Sequence, residues 1–323
     1  MKKKLVSDNI IWLVLLGLVI LMSIANPKFI TIANLTTLLT GEAVRGVIAF
    51  GVCFAILTKG IDLSLGAVMA VVGVVTAALV QPVEHASKAL PGIGQLPGIV
   101  AILVGLLMGA VIGFMIGWII AFTKIPAFIA TLGAQLIFRA AAKIFTARPV
   151  SNLSASFRFL GSGKLFGVFP MIIIVFLLVF GLAAFILLQT RFGKSLFAIG
   201  GNDQAARVAG INVEKNLILV YVWCSVMAAL GGILLAGRAG SADPTNFGLN
   251  YELDAIAAAT VGGTSHAGGI CRVTGVFCGI LILGVINNGL VLMGVNDNMT
   301  NIIKGLIIIG AVVLDMRRHA KRV

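Results

Sequence analysis

The chain has 323 residues, 59% of them hydrophobic and only 11% charged, with a mean hydropathy of +1.11. A water-soluble protein of this length cannot bury so much apolar surface, so the composition excludes a soluble enzyme and makes lipid the solvent. The formal net charge of +13 is read as topology, not as affinity for nucleic acid, because the basic residues gather near the ends of apolar runs.

A hydrocarbon core about 30 Å thick and a rise of ~1.5 Å per residue set the length of a helical crossing at about 20 residues. The first run, Ile10 to Ala25, follows Met1-Lys2-Lys3-Lys4 and has the charge pattern of a secretory signal. Its length and the runs behind it indicate an uncleaved span. The runs Ala43 to Leu57, Leu63 to Val80, Ile99 to Phe122, Ala127 to Phe145 and Phe169 to Gln189 come next. A charged island then precedes Leu217 to Gly237, Val273 to Met293 and Ile302 to Leu314; between the first two of these, Leu253 to Gly263 is too short to span unaided. These segments predict an all-α polytopic membrane protein of about ten transmembrane helices, with eight to ten as the range and one a candidate half-helix. No linker or soluble insert is long enough for a second unit, so residues 1–323 are expected to form one domain.

With the amino terminus inside and the short segment crossing, roughly fourteen of the basic residues fall on the cytoplasmic side, Lys59, Lys124, Arg272 and the tail Arg317-Arg318-His319-Ala320-Lys321-Arg322 among them. Both termini and the island are then cytoplasmic. The external loops are Gln81 to Pro97, Ala147 to Phe169 and Arg238 to Glu252. Glycines step by four along one span (Gly105, Gly109, Gly113, Gly117) and by four or five along another (Gly275, Gly279, Gly284, Gly289). They either let helices approach closely or mark a duplicated half.

Catalytic signatures are missing from the sequence. Gly193-Lys194-Ser195 looks like the tail of a phosphate-binding loop, but Leu188 stands where that loop needs its first glycine. The histidines, His85, His266 and His319, form no metal-ligand or general-base pattern, and no glycine-x-serine-x-glycine elbow occurs. Cys53, Cys224, Cys271 and Cys278 lie in or beside apolar segments without ligand spacing and read as small buried hydrophobes. Neither a metal nor a cofactor is expected. All eleven acidic residues are placed in loops or at span ends, which disfavours a carrier driven by protons or sodium, since those need a carboxylate at depth. Gln135, Asn287 and Asn288 are neutral amides within spans, suited to a hydroxyl-rich solute, and with Ser64 and Thr260 they are candidates for a translocation path; tying helices together is the competing role. Arg139, one turn from Gln135, either snorkels outward or meets the solute.

The island itself predicts a short helix. Asn202 is a good N-cap, Asp203 suits the positive end, Gln204 to Ala209 favour helix, and Gly210 closes it. A helix of about seven residues is unstable without a partner, and Ala205, Ala206 and Ala209 leave one side nearly bare, as fitting into a groove requires.

The stretch "RFGKSLFAIGGNDQAARVAGINV" resembles the cytoplasmic coupling loop of the permease subunits of ribose-type ABC sugar importers, the family that also serves xylose, arabinose, galactose and allose. The similarity continues in "LTKGIDLSLGAVMAVVG" (57–73), "PAFIATLG" (126–133), "DAIAAATVGGTSHAGGICRVTG" (254–275) and "GVINNGLVLMGV" (284–295), in family order along nearly the whole chain. Cys271 departs from the expected glycine of a "GGxGR" turn. The resemblance implies a permease of the bacterial inner membrane that pairs with a second copy, a homodimer, binds a cytoplasmic ABC ATPase and receives a monosaccharide from a periplasmic binding protein. It implies no nucleic-acid partner. The loop of residues 190–216 would dock in the ATPase through Arg191, Gly193, Asn202, Ala206, Arg207 and Gly210. Branched-chain amino-acid permeases and ion-coupled sugar carriers are the alternatives.

Overall fold

The runs are helices in the computed structural model, which describes residues 2–84 and 88–320; His85, Lys321 and Arg322 lie outside the described residues. In chain order the helices are α1 (Lys2–Ala25), α2 (Ile32–Leu57), α3 (Leu65–Leu79), α4 (Gly98–Thr123), α5 (Ala127–Phe145), α6 (Ala155–Ser162), α7 (Met171–Gln189), α8 (Arg191–Gly201), α9 (Asp203–Val208), α10 (Val213–Ala239), α11 (Tyr251–Val261), α12 (Val273–Leu292) and α13 (Asp297–Ala320). Among the described residues, strand is confined to β1 (Val150–Ser151), β2 (Lys164–Leu165), β3 (Phe169–Pro170) and β4 (Ser241–Ala242), paired antiparallel as β1 with β4 and β2 with β3. The architecture is all-α, and α2, α4, α5, α7, α10 and α12 are each long and apolar enough to cross a membrane.

The centre of the molecule is α2, buried on every side from Val47 to Leu57 and packed on α7, α10, α11 and α12. It starts eleven residues before the apolar run suggests. Thr31 caps it, its hydroxyl accepting the Asn34 N–H at 3.3 Å. The polar residues of the first turns are consumed internally, Thr36 and Thr37 donating to the carbonyls of Ile32 and Ala33 at 2.8 and 2.9 Å. Glu42 therefore lies inside the helix, 6% exposed. This corrects the expectation that every acidic residue sits in a loop or at a span end.

The glycine rows are packing seams. A Cβ on Gly109 of α4 would lie 2.6 Å from the Ala229 Cβ and 2.8 Å from the Ser225 oxygen of α10, and one on Gly113 would collide with the Tyr221 carbonyl. The row on α12 instead faces three partners in turn, with Gly279 against Ala258 of α11, Gly284 against Glu42 of α2 and Gly289 against Met22 of α1. Close backbone approach maximises dispersion between helices where lipid offers no hydrophobic drive. Gly113→Leu is expected to separate α4 from α10 and abolish recovery of monodisperse protein in detergent, whereas Gly181→Leu, where a Cβ meets nothing, leaves recovery unchanged.

Hydrogen bonds define the two ends of the bundle. At one, Gln81 after α3 donates to the Ser151 carbonyl of β1 at 2.9 Å, and β1 pairs with β4 after α10. At the other, the Gly269 N–H donates to the Leu57 carbonyl at the end of α2 at 2.9 Å, and Gly200 of α8 packs on that same carbonyl. Residues 243–268 connect these ends. The short segment is thus a crossing, built half from non-helical chain and half from the 11-residue α11, about 16 Å long. Three shorter apolar helices, Ile10–Ala25, Leu65–Leu79 and Asn298–Gly310, accompany the six long ones.

Non-helical chain at membrane depth survives only where its polar groups are met inside the protein. Arg139 supplies this, its Nη1 donating to the Phe247 carbonyl at 2.7 Å. Asp243 adds more, its side chain accepting the Thr245 N–H at 2.9 Å and its carbonyl the Phe247 N–H at 3.2 Å. Gly248 (φ +68°) and Asn250 (φ +65°) then turn the chain into α11. Glu252 and Asp254 in its first turn suit the positive end of a helix.

Candidate functional site

Beside the middle of α2, between it and α11, α12 and α13, lies a polar cavity of about 560 Å³. Arg45 organises it. Its Nη1 donates to Glu42 Oε1 at 2.8 Å, one turn away on the same helix, and its Nε stands 2.8 Å from Asp254 Oδ2 of α11. The guanidinium carbon lies 5.0 Å from the centre of the Tyr251 ring. Lys304 of α13 completes the group, its Nζ 3.3 Å from Asp254 Oδ1. Beside the exposed Arg238, which also lines the cavity, these two carboxylates and two cations on three helices form a group with no net charge. Each charge is compensated by a neighbour, which is what low-dielectric surroundings require.

The two asparagines of α12 line this cavity but are engaged differently. Asn288 exchanges amide hydrogen bonds with Asn34 of α2, at 2.7 and 2.9 Å, tying the two helices. Asn287 has a buried Oδ1 with no hydrogen-bond partner. The other candidates for a path are elsewhere. The Ser64 hydroxyl donates to Asp62 Oδ1 at 2.6 Å, closing the turn into α3; burial pushes that Asp62 carboxyl up to about 6, against the pull of the Ser64 hydroxyl and amide. The Thr260 hydroxyl donates to the Ile256 carbonyl at 2.8 Å and lies 2.8 Å from His266 Nε2. Gln135 is half-buried on α5 and away from the cavity wall. The structure therefore brings Asn287 and Asn288 together, and leaves Gln135, Ser64 and Thr260 apart from them.

The charged island folds as two helices, α8 and α9, where its composition suggested only the second. Thr190 caps α8, accepting the Gly193 N–H at 3.1 Å, and a Cβ on Gly193 would strike the carbonyls that end α7. Asn202 caps α9, accepting the Ala205 N–H at 3.0 Å. Gly210 (φ +81°) closes it, and Arg207 bridges to Glu214 at 2.5 Å. The loop is braced on α2: Phe192 lies 6.5 Å from Phe54, ring centre to ring centre, and Lys59 Nζ reaches the Gly201 carbonyl at 3.4 Å. Arg191 and Asn202 are exposed. Ala206 is not: it is buried against Ile199 and Val213. The bare face of α9 is formed by Ala205, Val208 and Ala209, with Val208 91% exposed. Ala206 stands about 100° round the helix from Ala205, so the face expected to contain both contains only one.

Glu42, Arg45 and Asp254 escaped the sequence reading as cavity residues. The available signal was the i, i+3 pair Glu42 and Arg45 directly before an apolar run, which becomes an intramembrane ion pair once α2 is extended back to Ile32.

Comparison with known proteins places this arrangement. Residues 34–312 match the family described as "Branched-chain amino acid transport system / permease component". The chain is 42% identical over 319 residues to the galactose/methyl galactoside import permease protein MglC of Salmonella typhimurium, covering 97% of this chain and 95% of that protein. It is 40% identical over 306 residues to the ribose import permease protein RbsC of Bacillus subtilis, covering 94% and 91%. RbsC of Escherichia coli is likewise 40% identical, over 310 residues. No solved structure matches significantly. Full-length similarity of this degree, on an all-α polytopic bundle, means that the chain belongs to this family of transport-system permease components and groups with its sugar import permeases.

Proposed function

We propose that the protein is the membrane subunit of an ATP-driven, binding-protein-dependent importer that carries a monosaccharide, pentose or hexose, across the bacterial inner membrane. The observation that carries this reading is the 40–42% identity to galactose and ribose import permeases over 94% or more of the chain. The polar cavity supports it, since a hydroxyl-rich solute needs hydrogen-bond donors and acceptors. Two copies form the passage, a cytoplasmic ATPase grips α9, and a periplasmic protein delivers the sugar. ATP is hydrolysed in the partner. Counting α1, α3, α11 and α13 as crossings beside the six long helices gives ten passages, which with the basic residues near the α8 end supports cytoplasmic termini and a coupling loop at residues 190–216.

Glu42 and Asp254 lie within the membrane, so the lack of such carboxylates no longer argues against an ion-driven carrier. Both are held by Arg45 and Lys304, while Glu252 of α11 keeps a buried Oε2 without a hydrogen-bond partner, so the ion-gradient arm of the test below discriminates the two readings. The family description favours an amino acid as the second reading.

The test is the chain reconstituted in vesicles with its ATPase and binding protein. ATP-dependent uptake of labelled D-galactose or D-ribose, not diluted by leucine, is expected. Sugar flux by the chain alone under a sodium or proton gradient, or competition by amino acids, would overturn the assignment.

A further inference from the structure

The two adjacent asparagines of α12 pose a physical question. Asn288 spends its amide on a reciprocal pair with Asn34, and that pair is enough to join α2 and α12. Asn287 sits one residue on, in the wall of the same cavity, with its Oδ1 buried and unbonded. A buried amide oxygen without a partner is costly, and nothing in helix packing needs it. Leucine has nearly the same size and would not carry that cost.

The surroundings of Asn287 state what would meet it. Of the charges in the wall, Arg45 holds Glu42 and Asp254, and Lys304 holds Asp254, while Arg238 lines the cavity from its exposed side. A cation therefore finds no unpaired carboxylate in this wall, an anion brings no donor to the unbonded Asn287 oxygen, and a purely apolar solute would leave every polar group of the wall unmet. Carboxylates and cations fixed by each other still have lone pairs and N–H groups to offer, and Tyr251 supplies an aromatic ring beside them. The volume, about 560 Å³, falls in the range of small-molecule sites, roughly 300–1,000 Å³.

We infer that this cavity is a sugar-hydroxyl subsite within the permease itself, with the Asn287 amide as its specificity-determining contact and the Glu42–Arg45–Asp254–Lys304 group as its fixed wall. The inference rests on the import reading above. It makes the membrane subunit a second checkpoint: a solute delivered without a hydroxyl for Asn287 leaves the amide unmet, and sites built to bond a hydroxyl reject analogues that lack it.

The experiment uses the whole transporter in proteoliposomes, with ATP hydrolysis stimulated by the loaded binding protein and uptake of labelled D-galactose and D-ribose measured on the same vesicles. Asn287→Leu removes the amide at nearly constant volume; Asn287→Ala serves if the first does not assemble. The expected result is about a tenfold fall in sugar moved per ATP hydrolysed, with the stimulated hydrolysis unchanged and with Asn287→Gln recovering part of the ratio. An unchanged ratio overturns the subsite. So does a parallel loss of uptake and hydrolysis, which marks Asn287 as structural. If the unaltered transporter imports amino acids and no sugar, the import reading fails, and that result is read without any variant.

Discussion

Arg45→Met is expected to abolish uptake and to lower the thermal midpoint of the detergent-solubilised protein by roughly 5–15 °C, on the basis of about 3–5 kcal/mol for a buried ion pair broken on one side. The size of the effect follows from the geometry. Arg45 is the hub, 2.8 Å from both Glu42 and Asp254. Once it is gone Asp254 keeps Lys304, but Glu42 is left charged in α2 with no cation. Adding Glu42→Gln to Arg45→Met restores neutrality and should return most of the midpoint, so the double variant lies well above the sum of the singles. Additive losses would mean that the pairs carry no weight in the fold.

Val208→Asp is expected to remove all ATP-driven uptake, together with stimulation of the ATPase, while insertion and the melting midpoint stay at their original values. Val208 is 91% exposed on a six-residue helix, and a lone apolar side chain so placed is ready for a partner's groove. A carboxylate buried there on docking would carry a desolvation cost. Ala206→Trp is the informative contrast. Because Ala206 packs inward on Ile199 and Val213, a large ring forces α9 off its own support, and the expected loss is accompanied by easier proteolysis of the loop. Normal coupling in Val208→Asp would move the docking face elsewhere.

The passages were legible because lipid demands long apolar helices, and composition alone reports them. The start of α2 was not. Threonines that bond back to their own helix look polar to a hydropathy window yet present no unmet group to their surroundings, so the run appeared to begin at Ala43 and Glu42 was assigned to its edge. The broken crossing was half legible. The 11-residue α11 was visible as a short apolar segment, but the turn residues before it carry no periodic signal, and Arg139, over 100 positions away, helps stabilise them. The Asn202 cap and Gly210 marked α9 correctly, while its facing was decided by α8 and α10, which local sequence does not specify. Asn287 and Asn288 are indistinguishable as letters. Only the position of Asn34 on α2 separates the amide that ties helices from the one that remains unbonded.

The Leu57 carbonyl is a meeting point of three segments: it ends α2, accepts the Gly269 N–H, and supports Gly200 of the loop. Twelve residues earlier on the same helix is Arg45, about 18 Å away along a rigid rod. Linkage then imposes a reciprocity. On the proposed docking, whatever free energy an ATPase bound at α9 contributes to the cavity by way of this rod, a solute in the cavity must return to that binding, because coupling between two binding equilibria has a single value in both directions. Sugar affinity measured with and without the ATPase, and ATPase affinity measured with and without sugar, are therefore two measurements of one number.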